Sequence, residues 1–206
     1  MNSIRSNILQ NIRQALASRK TATTRLAPIH EQPTISEEPV VRFQQQLEKV
    51  SGTLTTVSSM AKVPTTVMDF LQQRKLPFSV VMDTHLKTLP WPSDLTIAYR
   101  TATAKDGVSV SQAVMGIAET GSVVLLSGPE NPTTLNFLPE IQIVILPQER
   151  LVLRLEEVWS RLQQEFSILP RAVHLITGPS RTADIEQTIQ LGAHGPRILQ
   201  IILITT

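Results

Sequence analysis

The sequence predicts an α/β domain built on a mostly parallel sheet with helices on both faces, preceded by an amphipathic helix. Segments with helical apolar spacing alternate along the chain with short apolar runs, a pattern typical of βαβ units. The runs at 122–126 and 141–146 are almost continuously apolar, as expected of strands buried on both faces. The chain has 206 residues, of which 41% are hydrophobic, enough for one domain with a substantial core.

The first predicted element is an amphipathic helix within residues 1–19. Its apolar residues recur every four positions, at Ile4, Ile8, Ile12 and Leu16. This apolar stripe needs a partner surface, and we favour its own domain or a second subunit over a membrane or a nucleic acid. Residues 20–40 contain three prolines among Thr, Ser and Glu, which predicts an extended linker. The α/β domain is therefore expected at residues 41–206.

Helices and strands alternate through this domain. Helices are predicted at 41–50, 65–74, 111–118, 151–166 and 183–191. Strands are predicted at 53–58, 78–82, 95–99, 122–126, 141–146, 172–177 and 197–205. Ser111 is expected to cap the helix at 111–118 through its hydroxyl, and Gly192 is expected to end the helix at 183–191.

The composition argues against several kinds of site. The chain contains no cysteine, which excludes disulfides, thiolate zinc sites and cysteine-ligated iron–sulfur clusters within these residues. Its four histidines lack the close spacing of a helical metal motif, so no metal site is predicted. The dinucleotide fingerprint G-x-G-x-x-G and the phosphate-binding P-loop are both absent. We therefore predict no cofactor in this chain.

Charge and hydropathy also bear on partners and location. The net charge is only +2, and five Phe, two Trp and one Tyr are too few for an obvious base-stacking surface, so no nucleic-acid partner is predicted. No apolar stretch approaches the roughly 18 residues that span a bilayer. The N-terminus lacks the apolar core of a signal peptide. The expected location is the cytoplasm.

A first candidate site is the segment "ETGS". Glu119 closes the predicted helix at 111–118 and precedes Thr120, Gly121 and Ser122. A carboxylate at a helix C-terminus faces the negative end of the helix dipole, which is unfavourable unless the group has a use. Glu119 is therefore a candidate catalytic group, with its three neighbours as ligand contacts. An ordinary solvated turn explains the same residues about equally well.

A second candidate site is the segment "ITGPSRTAD". Gly178 turns the chain after a strand, Ser180 or Thr182 can cap the following helix, and Asp184 suits its first turn. Capping does not explain Arg181, because a cation is mildly unfavourable at this end of a helix. Beside a bound phosphate or carboxylate, however, the same cation is favourable. All five residues are candidate ligand contacts.

We predict that the turn at 119–122 and the segment 180–184 face one pocket. His194, in the loop "AHGP", is expected at its rim as a candidate proton carrier. Such a pocket suits a small ligand with a carboxylate or phosphate at one end and a hydroxyl or carbonyl at the other. Simple helix capping by the segment 180–184 is the alternative. The loop at 127–140, rich in Pro, Asn and Thr, is interpreted as a crossover connection.

Three motifs, "GIAETGSVVL", "FLPE" and "ITGPSRTADIE…GAHGP", occur in this order and together resemble the LUD-domain family, specifically its lactate-utilisation protein C group. The segment "ILQNIRQAL" is similar to that group's opening helix. The resemblance covers about residues 100–206 and, more weakly, the first 20. It implies a three-layer α/β fold like that of the NagB/RpiA/CoA-transferase group.

The resemblance also implies a function. It indicates a subunit of an L-lactate utilisation system that oxidises lactate to pyruvate together with iron–sulfur partner proteins, which fits a chain without cysteine. Related folds use a loop carboxylate on sugar phosphates or coenzyme A, which would place Glu119 in the working position. The alternative is thus a free-standing enzyme or binding protein for a phosphorylated sugar or an acyl-CoA. Homodimer formation and catalysis by this chain alone stay open.

Overall fold

The computed structural model describes the backbone of residues 2–17, 34–182, 190–191 and 195–205. The chain divides into two compact units, Met1–Ile35 and Ser36–Thr206. The described part of the first unit contains helix α1 (Asn2–Ala17), as the apolar spacing predicts, and Ile8, Leu9 and Ile12 of its apolar stripe are exposed. Among the described residues, no helix combines the length and hydropathy that a membrane span requires.

The second unit alternates helices and strands. Its helices are α2 (Pro39–Lys49), α3 (Val63–Gln73) and α4 (Leu155–Glu165). Its strands are β1 (Thr53–Val57), β2 (Ser79–Met82), β3 (Thr96–Ala98), β4 (Val108–Gln112), β5 (Met115–Ile117), β6 (Ser122–Leu126), β7 (Ile141–Pro147), β8 (Leu151–Val152), β9 (Val173–Ile176), β10 (Arg181–Thr182), β11 (Gln190–Leu191) and β12 (Ile198–Ile204).

A six-stranded sheet forms the centre of this unit. Its strand order is β1-β12-β7-β4-β2-β3, and every neighbouring pair is parallel. The middle strands β7 and β12 are buried almost throughout, which explains their nearly unbroken apolar sequences. The predicted parallel sheet is thereby confirmed.

Helices cover both faces of the parallel sheet. Ile143 and Ile145 of β7 pack on one face in a cluster with residues of α3. Val144 and Leu146, which point to the opposite face, pack with Phe43 and Leu47 of α2. The α/β fold with helices on both faces is therefore as predicted.

A second, four-stranded sheet adds to the α2 side of the molecule. Its order is β8-β5-β6-β9, with antiparallel β5–β6 and β6–β9 pairs and a parallel β5–β8 pair. Val123 and Leu125 of β6 share the apolar cluster of α2, while Val124 packs on the other face with Val158 and Leu162 of α4. Sequence patterning did not predict this second sheet.

Glu38 is the N-cap residue of helix α2. The Glu38 carboxylate accepts hydrogen bonds from the backbone N–H groups of Val40 and Val41, at 3.0 and 3.1 Å. Pro39 occupies the first turn, where its missing N–H is not needed. The helix thus starts two residues before the end of the predicted linker, residues 20–40. Of that linker, the structure describes residues 34–40.

Two predicted helices differ in the structure. The prediction of a helix at 111–118 is wrong: Ser111 lies within β4, and β5 follows directly. The prediction at 183–191 is wrong at its end, because Gln190–Leu191 pairs with Arg181–Thr182 as antiparallel strand. The interior of that segment, 183–189, lies outside the described residues, as does Gly192.

Candidate functional site

Glu119 meets the beginning of a helix, not the end of one. It follows β5, and its Oε1 accepts a hydrogen bond of 2.8 Å from the backbone N–H of Leu155, the first residue of α4. Its Oε2 lies 3.7 Å from Nη1 of Arg154. A carboxylate is favourable at a helix N-terminus, so the expected conflict with a helix dipole is wrong. These contacts account for Glu119 as a cap of α4, and its catalytic role stays a prediction.

The hydroxyl groups of the "ETGS" turn bind one another. The oxygens Thr120 Oγ1 and Ser122 Oγ are 2.7 Å apart, and Ser122 Oγ is 2.6 Å from Thr177 Oγ1, just after β9. Ser122 is only 3% exposed. Because β6 and β9 are antiparallel neighbours, this chain of hydroxyls joins the start of one strand to the end of the other. Ligand contacts by Thr120 and Ser122 stay predictions.

Two predicted site glycines are needed where loops touch α2. Gly121 and Gly178 have φ values of 67° and 76°, in the left-handed region. A Cβ on Gly121 would lie 2.3 Å from Leu47 N, and one on Gly178 would lie 2.6 Å from Val50 O. Close backbone packing therefore explains both glycines, whether or not a ligand contacts them.

Gly178, Ser180 and Arg181 line a cavity of about 320 Å³, here called the Arg181 cavity. Asn136, Gln142 and Leu199 line it as well. Gln142 and Leu199 are paired second residues of β7 and β12, so the cavity lies at the amino-terminal edge of the parallel sheet. Gly195 and Pro196, which follow His194 in the sequence, also line it.

The structure brings only part of the predicted site to this cavity. The described lining includes none of residues 119–122, and the Glu119 carboxylate faces α4 instead. Thr182 lies in the short strand β10, and the residues that follow it, 183–189, lie outside the described part of the chain. Asp184 and His194 lie outside the described residues. The one-pocket hypothesis therefore gains no support from the described residues.

A chain of buried amides runs away from the Arg181 cavity. Gln142 Nε2 donates a hydrogen bond of 3.1 Å to Asn136 Oδ1, and Asn136 Nδ2 donates one of 3.3 Å to Asn131 Oδ1. Gln142 and Asn136 are fully buried. Within the described structure, Gln142 Oε1 accepts no hydrogen bond. Sequence analysis missed Gln142, although a lone amide in the apolar run "IQIVIL" was a signal.

Asn131, at the far end of this chain, lines a second cavity of about 400 Å³. Asp83 and Gln112 also line it, where β2 and β4 end, so it lies at the carboxyl edge of the parallel sheet. Ligands commonly bind at this edge of α/β sheets. We call it the Asp83 cavity.

An acid–imidazole pair lies at the Asp83 cavity. Asp83 is 1% exposed, and its Oδ1 accepts the backbone N–H of His85 at 2.9 Å and lies 2.8 Å from His85 Nδ1. A buried carboxylate that orients an imidazole is a common arrangement in acid–base catalysis. Here Asp83 also caps the short turn of helix that contains His85, which explains the same contacts structurally. Sequence analysis did not single out either residue.

The loop at 127–140 contacts the small sheet. Thr133 Oγ1 lies 3.3 Å from Nε2 of His174 in β9, and the rings of Phe137 and His174 meet edge to face at 5.0 Å. Burial lowers the pKa of His174. The loop thus packs on β9 and also supplies Asn136 to the Arg181 cavity and Asn131 to the Asp83 cavity.

Sequence relatives match about half of this chain. A lactate utilization protein C from Geobacillus thermodenitrificans is 32% identical over 118 residues, covering 56% of this chain and 49% of the relative. The uncharacterized protein YkgG of Escherichia coli is 37% identical over 92 residues, covering 43% of this chain and 40% of the relative. The matched segment therefore spans half or less of the length of these relatives.

Structural comparison supports the fold. The crystal structure of a DUF162 family protein from Deinococcus radiodurans matches with a TM-score of 0.64 and 18% identity, covering 84% of this chain and 100% of that one. At this identity the likeness establishes the α/β fold alone. The family match is more specific: the LUD domain matches residues 92–204, more than half of the chain, including both glycine loops and Arg181. The chain belongs to the LUD domain family.

Proposed function

We propose that this protein is a cytoplasmic subunit of an L-lactate utilisation system that oxidises lactate to pyruvate. The observation that carries this proposal is the set of relatives named lactate utilization protein C, which are 31–33% identical to this chain in three Geobacillus strains. The match of the LUD domain to residues 92–204 supports the same assignment.

Lactate oxidation requires an acceptor for two electrons. The chain holds no cysteine, so its 206 residues cannot ligate a cysteine-held iron–sulfur cluster. The proposal therefore assigns electron transfer to iron–sulfur partner proteins and assigns this chain a supporting role in the same assembly. Capture of the tagged chain from cells grown on lactate is expected to bring down proteins with iron–sulfur absorbance.

Growth on lactate tests the proposed function. A strain that lacks this gene and any paralogue is expected to grow poorly on L-lactate as sole carbon source and normally on pyruvate. Growth on pyruvate is the control, because it bypasses the proposed oxidation but shares the later metabolism. Expression of the full chain is expected to restore growth on lactate. Unimpaired growth of the deletion strain on L-lactate contradicts the proposal.

The alternative function is a free-standing enzyme or binding protein for a phosphorylated sugar or an acyl-CoA that uses Glu119. It requires the Glu119 carboxylate to release the Leu155 N–H that it accepts at 2.8 Å. Thermal-shift measurements with sugar phosphates and acyl-CoAs test it directly, since a ligand that binds the native state raises the melting temperature. No shift with any of them at millimolar concentration counts against this alternative.

A further inference from the structure

We propose that the Asp83 cavity binds a neutral polyhydroxylated ligand through a pair of adjacent hydroxyl groups. In this proposal the carboxylate of Glu130 accepts hydrogen bonds from both hydroxyls, while His85 and Gln112 contact further polar groups of the ligand. Such a diol occurs in a free sugar and in the ribose of a nucleoside. The inference goes beyond the proposed function, because it concerns a neutral ligand and does not depend on lactate.

Backbone hydrogen bonds hold the walls of this cavity together. The N–H of Asp83, just after β2, donates to the carbonyl of Val110 in β4 at 3.0 Å. The N–H of Thr84 donates to the carbonyl of Glu130, in the loop after β6, at 3.2 Å. The chain segments that carry the polar groups are thus fixed relative to one another, which lowers the entropy cost of binding a ligand between them.

Three polar side chains of the lining are open to a ligand. The side chain of His85 is 62% exposed, Glu130 is exposed and Gln112 is half-buried. Within the described residues, Nε2 of His85, the carboxylate of Glu130 and the side-chain amide of Gln112 make no hydrogen bond. A ligand can therefore bind these groups without displacing an existing partner.

The free groups include both donors and acceptors of hydrogen bonds. A carboxylate only accepts, whereas an amide offers an acceptor oxygen and two donor hydrogens. Asn131 adds a donor, because its Oδ1 accepts from Asn136 and its Nδ2, which is not closed to solvent, donates to no described residue. A hydroxyl group can donate to one such partner and accept from another. Two adjacent hydroxyls can also donate to the two oxygens of one carboxylate, the arrangement that we assign to Glu130.

The charge of the cavity favours a neutral ligand over an anion. Its described lining contains one arginine and no lysine, and that arginine, Arg150, donates two hydrogen bonds to the Glu165 carboxylate. His85 lies 2.8 Å from Asp83, so a protonated imidazole would neutralise that acid first. No described cation forms an ion pair with Glu130. A carboxylate or phosphate at this position would therefore meet a negative charge.

The rest of the cavity suits the carbon skeleton of such a ligand. Phe166, Ile168 and Pro170 contribute apolar wall. The volume of about 400 Å³ lies in the range of small-molecule sites and exceeds that of one sugar ring. The cavity thus has room for the base of a nucleoside as well as its ribose.

The test is calorimetric titration of the purified full chain with adenosine, 2′-deoxyadenosine, adenosine 5′-monophosphate and methyl β-D-ribofuranoside. Adenosine and the ribofuranoside, which carry the diol, are both expected to bind. Adenosine is expected to bind roughly tenfold more tightly than 2′-deoxyadenosine, the loss that follows from one hydrogen bond to a charged acceptor. The 5′-monophosphate is expected to bind more weakly than adenosine because of its charge. Tighter binding of adenosine than of the ribofuranoside indicates a nucleoside, and equal affinity indicates a sugar.

A variant of Glu130 assigns the central contact. Glu130→Gln keeps the side-chain size and removes the charge. It is expected to weaken adenosine binding roughly tenfold and to narrow the preference for adenosine over its 5′-monophosphate. Glu149→Gln is the matched control, because it changes an exposed glutamate outside the cavity lining, and it is expected to leave both affinities unchanged. Because Glu130 is exposed and its carboxylate has no described partner, the variant is expected to fold normally.

Several results would overturn this inference. They are the absence of binding by both adenosine and the ribofuranoside, equal affinity for adenosine and 2′-deoxyadenosine, tighter binding of the 5′-monophosphate than of adenosine, and unchanged adenosine affinity in Glu130→Gln. Growth of the deletion strain on L-lactate bears on the proposed function alone, since none of these probes is lactate. The two proposals can therefore fail separately.

Discussion

At the scale of single residues, the sequence identified charged candidate residues more readily than it predicted their contacts. Arg181 stood out because capping could not explain a cation there, and the structure places it at a cavity. Glu119 was also singled out, but the helix that was expected to precede it is a strand, so its partner was not predictable from local spacing. Gln142 was missed because its hydrogen bond to Asn136 depends on the path of the loop before β7, which local sequence does not predict.

The Glu119 carboxylate gives a residue-scale prediction. Glu119→Ala is expected to lower the free energy of unfolding by about 1 kcal/mol, because the Leu155 N–H loses its acceptor. Glu119→Gln keeps an amide oxygen at that position and is expected to lose less. Chemical denaturation measures both. A Glu119→Gln variant with native stability that fails to restore growth on L-lactate would contradict a purely capping role.

Gly178 gives a second residue-scale prediction. Gly178→Ala is expected to destabilise the protein by more than about 1 kcal/mol, because φ is 76° and the new Cβ would lie 2.6 Å from the Val50 carbonyl oxygen. Gly107→Ala is the matched control, since a Cβ there would have no atom within 4 Å. Equal urea midpoints for the two variants would show that the close packing of Gly178 against α2 is unimportant for stability.

At the scale of elements, patterning identified the buried strands and the long amphipathic helices. Strands β7 and β12 carry apolar runs that only a central position in a sheet requires, and α2 and α4 carry helical stripes. The helix predicted at 111–118 was wrong because the apolar spacing of this segment fits a short helix as well as it fits two strands. Its structure is instead decided by long-range pairing, of β4 with β7 and β2, and of β5 with β6 and β8.

Ser111 distinguishes the two interpretations of that segment. Its hydroxyl is buried in β4 and has no hydrogen-bond partner in the described structure. Ser111→Ala is therefore expected to leave stability unchanged or to raise it by up to about 1 kcal/mol, because an unsatisfied hydroxyl is removed. A helix N-cap would predict a loss of about 1 kcal/mol instead. Thermal or chemical unfolding of the variant measures the sign.

At the scale of the whole molecule, the shifted pKa values of His174 and Asp106 make stability depend on pH. Burial lowers the pKa of His174, so its contribution is full above the ordinary value of about 6.5 and is lost as the pH falls below it. Hydrogen bonds, chiefly from Arg100, hold the pKa of Asp106 well below its ordinary value of about 4. Its contribution is lost only in more acidic solution, as the pH falls from about 4 through the lowered pKa.

The melting temperature is accordingly expected to fall in two steps from pH 8 to pH 3. His174→Gln is expected to remove the step that begins below about pH 6.5, and Asp106→Asn is expected to flatten the step below pH 4 while lowering stability at neutral pH. In Asp106→Asn the paired hydrogen bonds from Arg100, of 2.7 and 2.8 Å, lose their charged acceptor. Acid profiles of the variants that superimpose on that of the native chain would contradict these assignments.

The proposed link to lactate rests on the relatives named lactate utilization protein C, and lactate consumption in a cell lysate tests it most directly. We would follow L-lactate consumption in a lysate of the deletion strain, with and without the purified full chain added back. We expect consumption to fall in the deletion lysate and the native chain to restore it. Arg171→Ala, which changes an exposed arginine outside the Arg181 cavity, is expected to restore it as well, whereas Arg181→Ala is not. Equal L-lactate consumption in the deletion and parent lysates, with no response to the added chain, would contradict the proposed role in lactate utilisation.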